Sequence, residues 1–432
     1  MAPPTVDRGR IENLTAALEV EYGPDPSQLG GLPGNRAAGS GPGGMDGPAR
    51  QSAASPVEIV RAPVGVTLMG DYTDYNDGLV LPAAIGLETW IAFRRRLDGR
   101  VRVASRGSRG TASFRIEALV PAQSGHVACG EADPDAWSDY VAATAWSLRE
   151  SALPILGFDG VVDTTVPGGD GFSPHAALEL ASAVALLGHG SATAAALAAM
   201  AQRGEREYLG LDCGIVDQLV SAAGREGRAL MIDCRSLDVR YVPLPFGLRV
   251  VVCATGSTAG NGPELLEARR IECARAVALL AERMPGLSSL RDLDGSSLRR
   301  HRGRLPENVA RRADHVVSEN ARVLATAAAL EACDLDELGR LFTESHASMR
   351  DRYQVGSAAA EAMVDVAAAI PGVVATRMTG SGASTINLVL ADAVPTLEAA
   401  VSREYGRRTG LTGRVYAVDV VDGAGSISPA AG

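Results

Sequence analysis

The stretch Gly214-Ile-Val-Asp-Gln218, running on through Leu219-Val-Ser-Ala-Ala223 to Ala229-Leu-Met-Ile-Asp-Cys-Arg-Ser236, decides how this chain is read. Asp217 stands among apolar neighbours at the start of an apolar helical run. Burying a carboxylate in such a place is unfavourable unless something requires it. Two readings follow. Asp217 is either a helix N-cap acid, which side chains of this type favour, or a catalytic acid facing a pocket. The rest of the sequence is needed to choose between them.

The chain has 432 residues, enough for two packed domains. Hydrophobic residues make up 46% but aromatics only 4%, so Ala, Val and Leu must fill the core. A net charge of -10 argues against nucleic acid or an anionic membrane as the main partner. All 41 basic residues are arginine. Without lysine, a Walker A loop, a protein-kinase strand lysine and a pyridoxal Schiff base are excluded. Any phosphate chemistry must therefore use backbone amides, helix N-termini, arginine and a metal. Cys129, Cys213, Cys234, Cys253, Cys273 and Cys333 are scattered, as suits reduced thiols in a cytoplasmic protein. The Ala-rich run from 176 to 201 is broken by Glu179, Gly188 and His189 and reads as helices outside a membrane.

Periodicity predicts an α+β chain in two domains. Residues 8–22 form a short helix, and 29–54, rich in Gly, Pro and Ser, a flexible insert. Strands are expected at 57–60, 79–81, 89–94, 101–105, 113–116 and 160–165, with further strand character over 229–251. Helices are expected at 137–151, 176–187, 191–209 and 214–224. Beyond a break near 240, helices over 263–284, 305–332, 334–351 and 357–370 precede strands at 386–390 and 413–421, with a helix over 394–408 between them. The divisions are thus 1–54, 55–240 and 241–432.

Four further segments have chemical character. In Gly70-Asp-Tyr-Thr-Asp-Tyr-Asn-Asp-Gly78, Asp71 and Asp74 alternate with Tyr72 and Tyr75. Acids that accept from hydroxyls, beside rings that cover apolar faces, suit a sugar, but the composition equally suits a solvated turn. Val166-Pro-Gly-Gly-Asp-Gly-Phe-Ser-Pro-His175 is a glycine-rich passage from strand to helix, either an anion cradle or a tight connection. Glu205 is an oxygen donor suited to Mg²⁺ or a surface residue beside Arg203 and Arg206. Arg377-Met-Thr-Gly-Ser-Gly-Ala-Ser-Thr385 offers small residues that let a loop approach a ligand or another backbone.

In order and spacing these segments resemble the GHMP kinases, and galactokinases in particular. The resemblance runs from about Val57 to the C-terminus and includes His315-Val-Val-Ser-Glu-Asn-Ala-Arg-Val-Leu324 and Ser345-His-Ala-Ser-Met-Arg-Asp351. It implies an N-terminal β/α domain of the S5-domain-2 type and a C-terminal α/β sandwich. It also implies transfer of the ATP γ-phosphoryl to an anomeric hydroxyl, with ATP and Mg²⁺ required. On the resemblance, Asp217 is the catalytic aspartate and Glu205 the Mg²⁺ ligand, with Ser173 a second candidate. Gly169, Gly171, Ser173 and His175 belong to the phosphate loop, and Trp137 lies near the adenine. Gly380 and Ser381 belong to the motif that shapes the floor of the nucleotide site. Asp71, Tyr72, Asp74, Tyr75 and Gly214 fall on the sugar side. The implied partners are a small sugar and ATP, with the chain a monomer or homodimer.

The departures from the family pattern bear on substrate and rate. Ala62-Pro-Val-Gly-Val-Thr67 stands where galactokinases read Ala-Pro-Gly-Arg-Val-Asn, so Gly65 replaces the arginine partner of the catalytic aspartate. Losing one such charge-stabilising group corresponds to about 10²–10³ in rate. Arg61 or Arg235 is a candidate to fill the gap in space, which the sequence leaves open. Pro174 and His175 interrupt a serine run, Pro174 removing a backbone donor, and Asp170 puts a negative charge in a loop meant for an anion. Asp71-Tyr72 replaces Glu-His, and Leu265 or Leu266 replaces a tyrosine. The expectation is a sugar 1-kinase acting on a galactose-like sugar other than galactose, such as a heptose or octose of an antibiotic pathway. The alternatives are a non-catalytic sugar or nucleotide sensor and a galactokinase with an unusual site.

Overall fold

The computed structural model describes residues 7–23, 56–107, 111–121, 137–188, 192–257 and 262–427. The expected insert at 29–54 and Cys129 lie outside the described residues. The first half contains α1 (Arg8–Tyr22), β1 (Glu58–Met69), β2 (Leu79–Arg96), β3 (Arg100–Ser105), β4 (Thr111–Arg115), α2 (Trp137–Glu150), β5 (Gly157–Thr164) and α3 (Pro174–Leu187). It continues through α4 (Ala194–Arg203), α5 (Val216–Ala223), β6 (Arg228–Asp233) and β7 (Val239–Pro243). The second half has β8 (Leu248–Ala254), α6 (Pro263–Ala281), α7 (Gly295–His301), α8 (Glu307–Ala332), α9 (Leu335–Ser348) and α10 (Ala358–Ala368). It ends with β9 (Val373–Thr379), β10 (Ser384–Leu390), α11 (Val394–Ala400), α12 (Gly406–Thr409), β11 (Arg414–Val418) and β12 (Gly425–Ile427).

The first sheet has the order β12-β1-β2-β5-β3-β4, with β6 and β7 branching from β2. Its pairings are antiparallel except β3 with β5. The strands expected at 57–60, 79–81 and 89–94 prove to be parts of two long ones. Pro63 and Pro82 lie within β1 and β2 beside irregular register, at Pro63/Val64 and Thr67/Met69. A bulge leaves one residue out of the ladder, which is where proline is tolerated in a strand. The apolar runs therefore mark the well-packed parts of strands that continue through the proline sites.

The second sheet, β11-β8-β10-β9, is antiparallel and covered on both faces. Alternation along β8 divides its side chains. Val250 and Val252 join the core with Leu338, Leu341 and Phe342 of α9. Val251 and Cys253 pack with Met363 of α10 and Leu397 of α11. β9 and α7 were not anticipated. The seven residues of α7 are too few for a helical period to stand out; its start is fixed by Asp294, which accepts from Ser297 N–H at 2.7 Å. The anticipated break near 240 falls inside β7, and the last strand, β12, pairs with β1 of the first sheet.

The two sheets meet through Arg377 on β9, which has no exposed surface. Its guanidinium donates to the carbonyls of Leu68 (2.9 Å), Thr67 (3.1 Å) and Met378 (3.0 Å) and forms an ion pair with Asp71. From the other side, α8 holds the loop after β1. Glu319 accepts from Gly70 N–H at 3.2 Å, and Asn320 accepts from Leu79 N–H at 2.8 Å. Removing one member of a buried ion pair leaves the other charge unpaired, which costs about 3–5 kcal/mol. Arg377→Met should therefore lower stability by that order in urea unfolding, and the double variant Arg377→Met/Asp71→Asn should recover much of the loss.

Candidate active site

α5 begins at Val216 with Ile215 as its N-cap residue, and no side chain caps it. Asp217 is therefore not the cap. It stands in the first turn and opens into a cavity of about 450 Å³ where α5, the β1–β2 loop and the start of α3 converge. The apolar residues around it explain the placement. Leu219, Val220 and Ala223 bury one face of α5 against the first sheet, leaving the aspartate on the cavity side.

The cavity gathers most of the residues singled out from sequence: Asp71, Tyr72, Asp74, Tyr75, Ser173, His175, Glu205, Gly214 and Asp217 all line it. Trp137, Gly169, Gly171, Gly380 and Ser381 are not among the residues lining this cavity. Trp137 packs against the core, three residues before Tyr140, which does line it. A larger hollow, of about 790 Å³ between α7, α8 and α9, contains none of the expected site residues.

Asp217 and Asp74 dominate the electrostatics. Water reaches Asp217 through the cavity mouth, but protein encloses the remainder, and this desolvation pushes its carboxyl up to about 6. A hydrogen bond from Ser173 works in the opposite direction, while Asp74 and Glu205 add to the rise. Burial likewise pushes Asp74 up to about 6, partly offset by Arg270. Gly214 matters here through its lack of a side chain, since a Cβ would stand 3.0 Å from Asp74 Oδ2. The phenolic oxygen of Tyr75 is buried without a hydrogen-bond partner among the described residues. Arg270 reaches over the Tyr75 ring at 5.2 Å and pairs with the exposed Asp212 at 2.7 Å. Its guanidinium lines the cavity. Arg61 instead pairs with Glu88, and Arg235 with Asp292 and Ser289, so neither basic residue expected to serve the site does so.

Glu205 sits in a widened helical turn, Gly204–Tyr208, that extends α4. It is 5% exposed and accepts from Gln218 Nε2 at 2.8 Å; the same nitrogen lies 3.3 Å from Glu179. Burial, and then the neighbouring Glu205, raise the Glu179 carboxyl well above the usual carboxylate range. No cluster of three or more His, Cys, Asp or Glu side chains forms a metal cage among the described residues. One carboxylate and one hydroxyl, Glu205 and Ser173, do share the cavity. That donor set fits Mg²⁺, which commonly takes one or two carboxylates and completes its shell with substrate phosphates. His175 is a poor donor for so hard an ion. It stacks on Tyr140 at 4.1 Å, and burial depresses its pKa, favouring the neutral ring.

The glycine-rich turn resolves the question of Asp170. This acid is 2% exposed and accepts from Arg414 Nε at 2.7 Å and from the Tyr416 hydroxyl, both on β11. Burial alone would raise its pKa, but these hydrogen bonds hold it below the usual carboxylate range. The negative charge is thus neutralised from the second sheet. Pro174 is the first residue of α3 after the cap position Ser173. There its missing N–H breaks no intrahelical bond, but one amide is lost from the helix end. The space at Gly65 has also been filled: a Cβ there would come within 2.9 Å of Val220 Cγ1 and 3.2 Å of Val220 Cβ.

Asp71 and Tyr72 reach the cavity wall with their polar atoms already engaged. Asp71 pairs with Arg377 and accepts from Gly380 N–H at 2.8 Å, while the Tyr72 hydroxyl donates to the Gly380 carbonyl at 2.6 Å. Sequence reasoning had placed both on the sugar. It missed Tyr140, Gln218, Arg270, Arg414 and Tyr416. Gln218 follows Asp217 directly in the deciding stretch, but Arg414 and Tyr416 lie some 240 residues from the loop they serve, with no local signal.

Comparisons with known proteins bear on the family of this chain. A profile described as "Galactokinase galactose-binding signature" matches residues 50–95, and one described as "GHMP kinases N terminal domain" matches residues 139–225. A galactokinase of Roseiflexus sp. is 39% identical over 86% of this chain and 93% of its own length. A galactokinase of Chloroflexus aurantiacus is 40% identical over 82% and 90% respectively. The crystal structure of Lactococcus lactis galactokinase complexed with galactose superposes with a TM-score of 0.77 at 27% identity, covering 86% of this chain and 95% of that one. The chain belongs to the galactokinase family of GHMP kinases and is a sugar kinase with the two-domain α+β fold of that family.

Two outcomes follow. Gly65→Arg should lower stability by about 1–3 kcal/mol, because the new side chain overpacks against Val220. Adding Val220→Ala should restore most of it in denaturant unfolding. The Asp74 carboxyl, raised in the fold, gives the second. Between its unfolded pKa near 3.8 and about 6, the folded state holds the proton more tightly, so stability rises as pH falls through 6. Asp74→Asn should flatten that slope and raise the urea midpoint at pH 7.5, by on the order of 1 kcal/mol after solvent screening.

Proposed function

We propose that the protein transfers the γ-phosphoryl group of ATP to the anomeric hydroxyl of a galactose-like sugar. The observation that carries this reading is Asp217, which is free of any capping role and opens into one cavity with Asp74, Glu205 and Ser173. Asp217 accepts or orients the proton of the C1 hydroxyl. A carboxyl near pKa 6 is ionised at neutral pH yet basic enough to take a share of that proton. Asp74 and Tyr75 hold ring hydroxyls, and Gly214 leaves the room that the Asp74 carboxylate occupies. Glu205, oriented by Gln218, and Ser173 would hold Mg²⁺. The ion supplies charge neutralisation at the phosphates when bound. The glycine-rich loop from Gly169 to Ser173 and the N-terminal end of α3 receive the phosphates, and Trp137 lies toward the adenine. The setting is cytoplasmic.

The sugar differs from galactose at its far end. Three features support this: the polar atoms of Asp71 and Tyr72 are closed on Gly380, Leu266 lines the cavity, and Leu211 and Val80 add apolar wall. A far end that lacks the primary hydroxyl or carries an apolar group meets such a wall better than galactose does; a modified or higher-carbon aldose, such as a heptose or octose of an antibiotic pathway, is the candidate class. A phosphate-transfer assay over an aldose panel tests this. Better turnover with galactose than with any far-end variant would remove the specificity part of the reading. The second reading is a sensor without catalysis, favoured by Val220 filling the space at Gly65. Sugar binding with no transfer to any aldose would establish it.

Asp217→Asn should fold with an unfolding midpoint at pH 7.5 no lower than the parent's, since it too removes a carboxyl that burial raises, and should bind sugar within a few-fold. Its turnover should fall by about 10²–10⁴, the range for loss of a general base. Turnover that stays at the parent level would place the proton elsewhere.

A further inference from the structure

Gly380 is held at both of its peptide groups. Its N–H donates to Asp71 Oδ1 at 2.8 Å, and its carbonyl accepts from the Tyr72 hydroxyl at 2.6 Å. The Thr379 hydroxyl lies 3.4 Å from the same Asp71 oxygen, and Arg377 takes Oδ2. Adjacent residues on one loop thus grip a single residue of the β9–β10 turn. Their own placement is tightly determined. Tyr72 has a left-handed backbone (φ 67°), a conformation unfavourable for a residue with a side chain. Its ring stacks on Tyr353 at 4.5 Å, with the planes 21° apart. His315 sits 3.2 Å from the Asp71 carbonyl through Nε2, and 2.9 Å from Ser348 Oγ through Nδ1. A carbonyl can only accept, so Nε2 carries the proton and Nδ1 accepts from Ser348. Burial lowers the ring's pKa to about 4, which favours this neutral form.

The gripped turn abuts the glycine-rich loop. A Cβ on Gly171 would meet Ser384 Oγ at 3.3 Å and the Ala383 Cβ at 3.4 Å. Ala383 is fixed in turn, its carbonyl accepting from Thr255 N–H at 2.9 Å and from the Thr255 hydroxyl at 2.8 Å. On its other side the loop is tied to β11 through Asp170, Arg414 and Tyr416.

We infer that Asp71 and Tyr72 are positioning residues that clamp the Gly380 turn beneath the glycine-rich loop, and are not ligands of the sugar. The Tyr72 proton and both Asp71 carboxylate oxygens are committed to this clamp and to Arg377. The consequence for nucleotide binding rests on the reading above that the glycine-rich loop receives ATP; the clamp itself does not.

Tyr72→Phe tests the inference, because it keeps the ring on Tyr353 and removes only the bond to Gly380. Amide hydrogen exchange over residues 378–384 should accelerate about tenfold, the opening expected for loss of one hydrogen bond. By calorimetry, a Mg²⁺-bound non-hydrolysable ATP analogue should bind three- to tenfold more weakly, while galactose, used as the sugar probe, should bind within twofold of the parent. Unchanged exchange in that segment would overturn the clamp. So would a tenfold loss of galactose affinity with nucleotide affinity intact. If the parent protein does not bind the nucleotide analogue, the kinase reading fails, and the exchange measurement alone decides the clamp; if it binds the analogue but not galactose, exchange and nucleotide affinity together decide it.

Discussion

Arg377 is the cation around which the two sheets are assembled. A guanidinium with no exposed surface must have its donors satisfied, or the desolvation cost is prohibitive. Three carbonyls and the Asp71 carboxylate satisfy them, and two of those carbonyls, of Thr67 and Leu68, belong to β1 in the other sheet. The requirement fixes β9 against the end of β1. Everything at the site is measured from that junction: the Asp71–Asp74 loop leaves β1 there, and the β9–β10 turn leaves β9 there. In this lysine-free chain the planar fork of arginine is well suited to the task, since it can reach several carbonyl groups and a carboxylate at once.

The site itself is built against stability. Asp74 and Asp217 keep carboxylates in a confined cavity without an arginine bonded to either, and both are raised to about 6 as a result. Glu179 and Glu205 share a single amide nitrogen. Such arrangements persist only when the surrounding scaffold is sound, and they are found where function requires them. The scaffold supplies the compensation: an extensive apolar core beneath α3 and α5, and buried structural acids held in ion pairs. Asp170 and Asp71 belong to this second group, and each is neutralised by an arginine from the second half of the chain.

The departures from the family pattern form a connected set. With Gly65 in place of an arginine, Val220 closes over the vacated space. With Asp170 in the glycine-rich turn, Arg414 and Tyr416 cross from β11 to meet it. With Asp71-Tyr72 in place of Glu-His, the pair closes on Gly380. Each substitution has a partner in space that accommodates it.

Much of this was legible in the sequence, for physical reasons that can be named. Helical periods of 11 residues or more marked α2, α6, α8 and α10, and the Gly-Ile-Val-Asp-Gln stretch marked the acid at the start of α5. The chemistry of the glycine-rich turn and the Asp-Tyr-Thr-Asp-Tyr loop was readable because turn residues and their acids are adjacent in the chain. β1 and β2 were only partly legible, since the prolines within them are accommodated by bulges that local preference does not signal. The sequence by itself determined the family, the α+β class and the acids available for chemistry, because these depend on residue type and short-range spacing. Only the tertiary structure decided which acids stay open and which are closed by the chain. Asp217 and Asp74 are left facing the cavity while Asp71 and Asp170 are paired, because hydrogen bonding is settled by which groups meet in space, and the partners of the paired acids lie some 240 to 310 residues away.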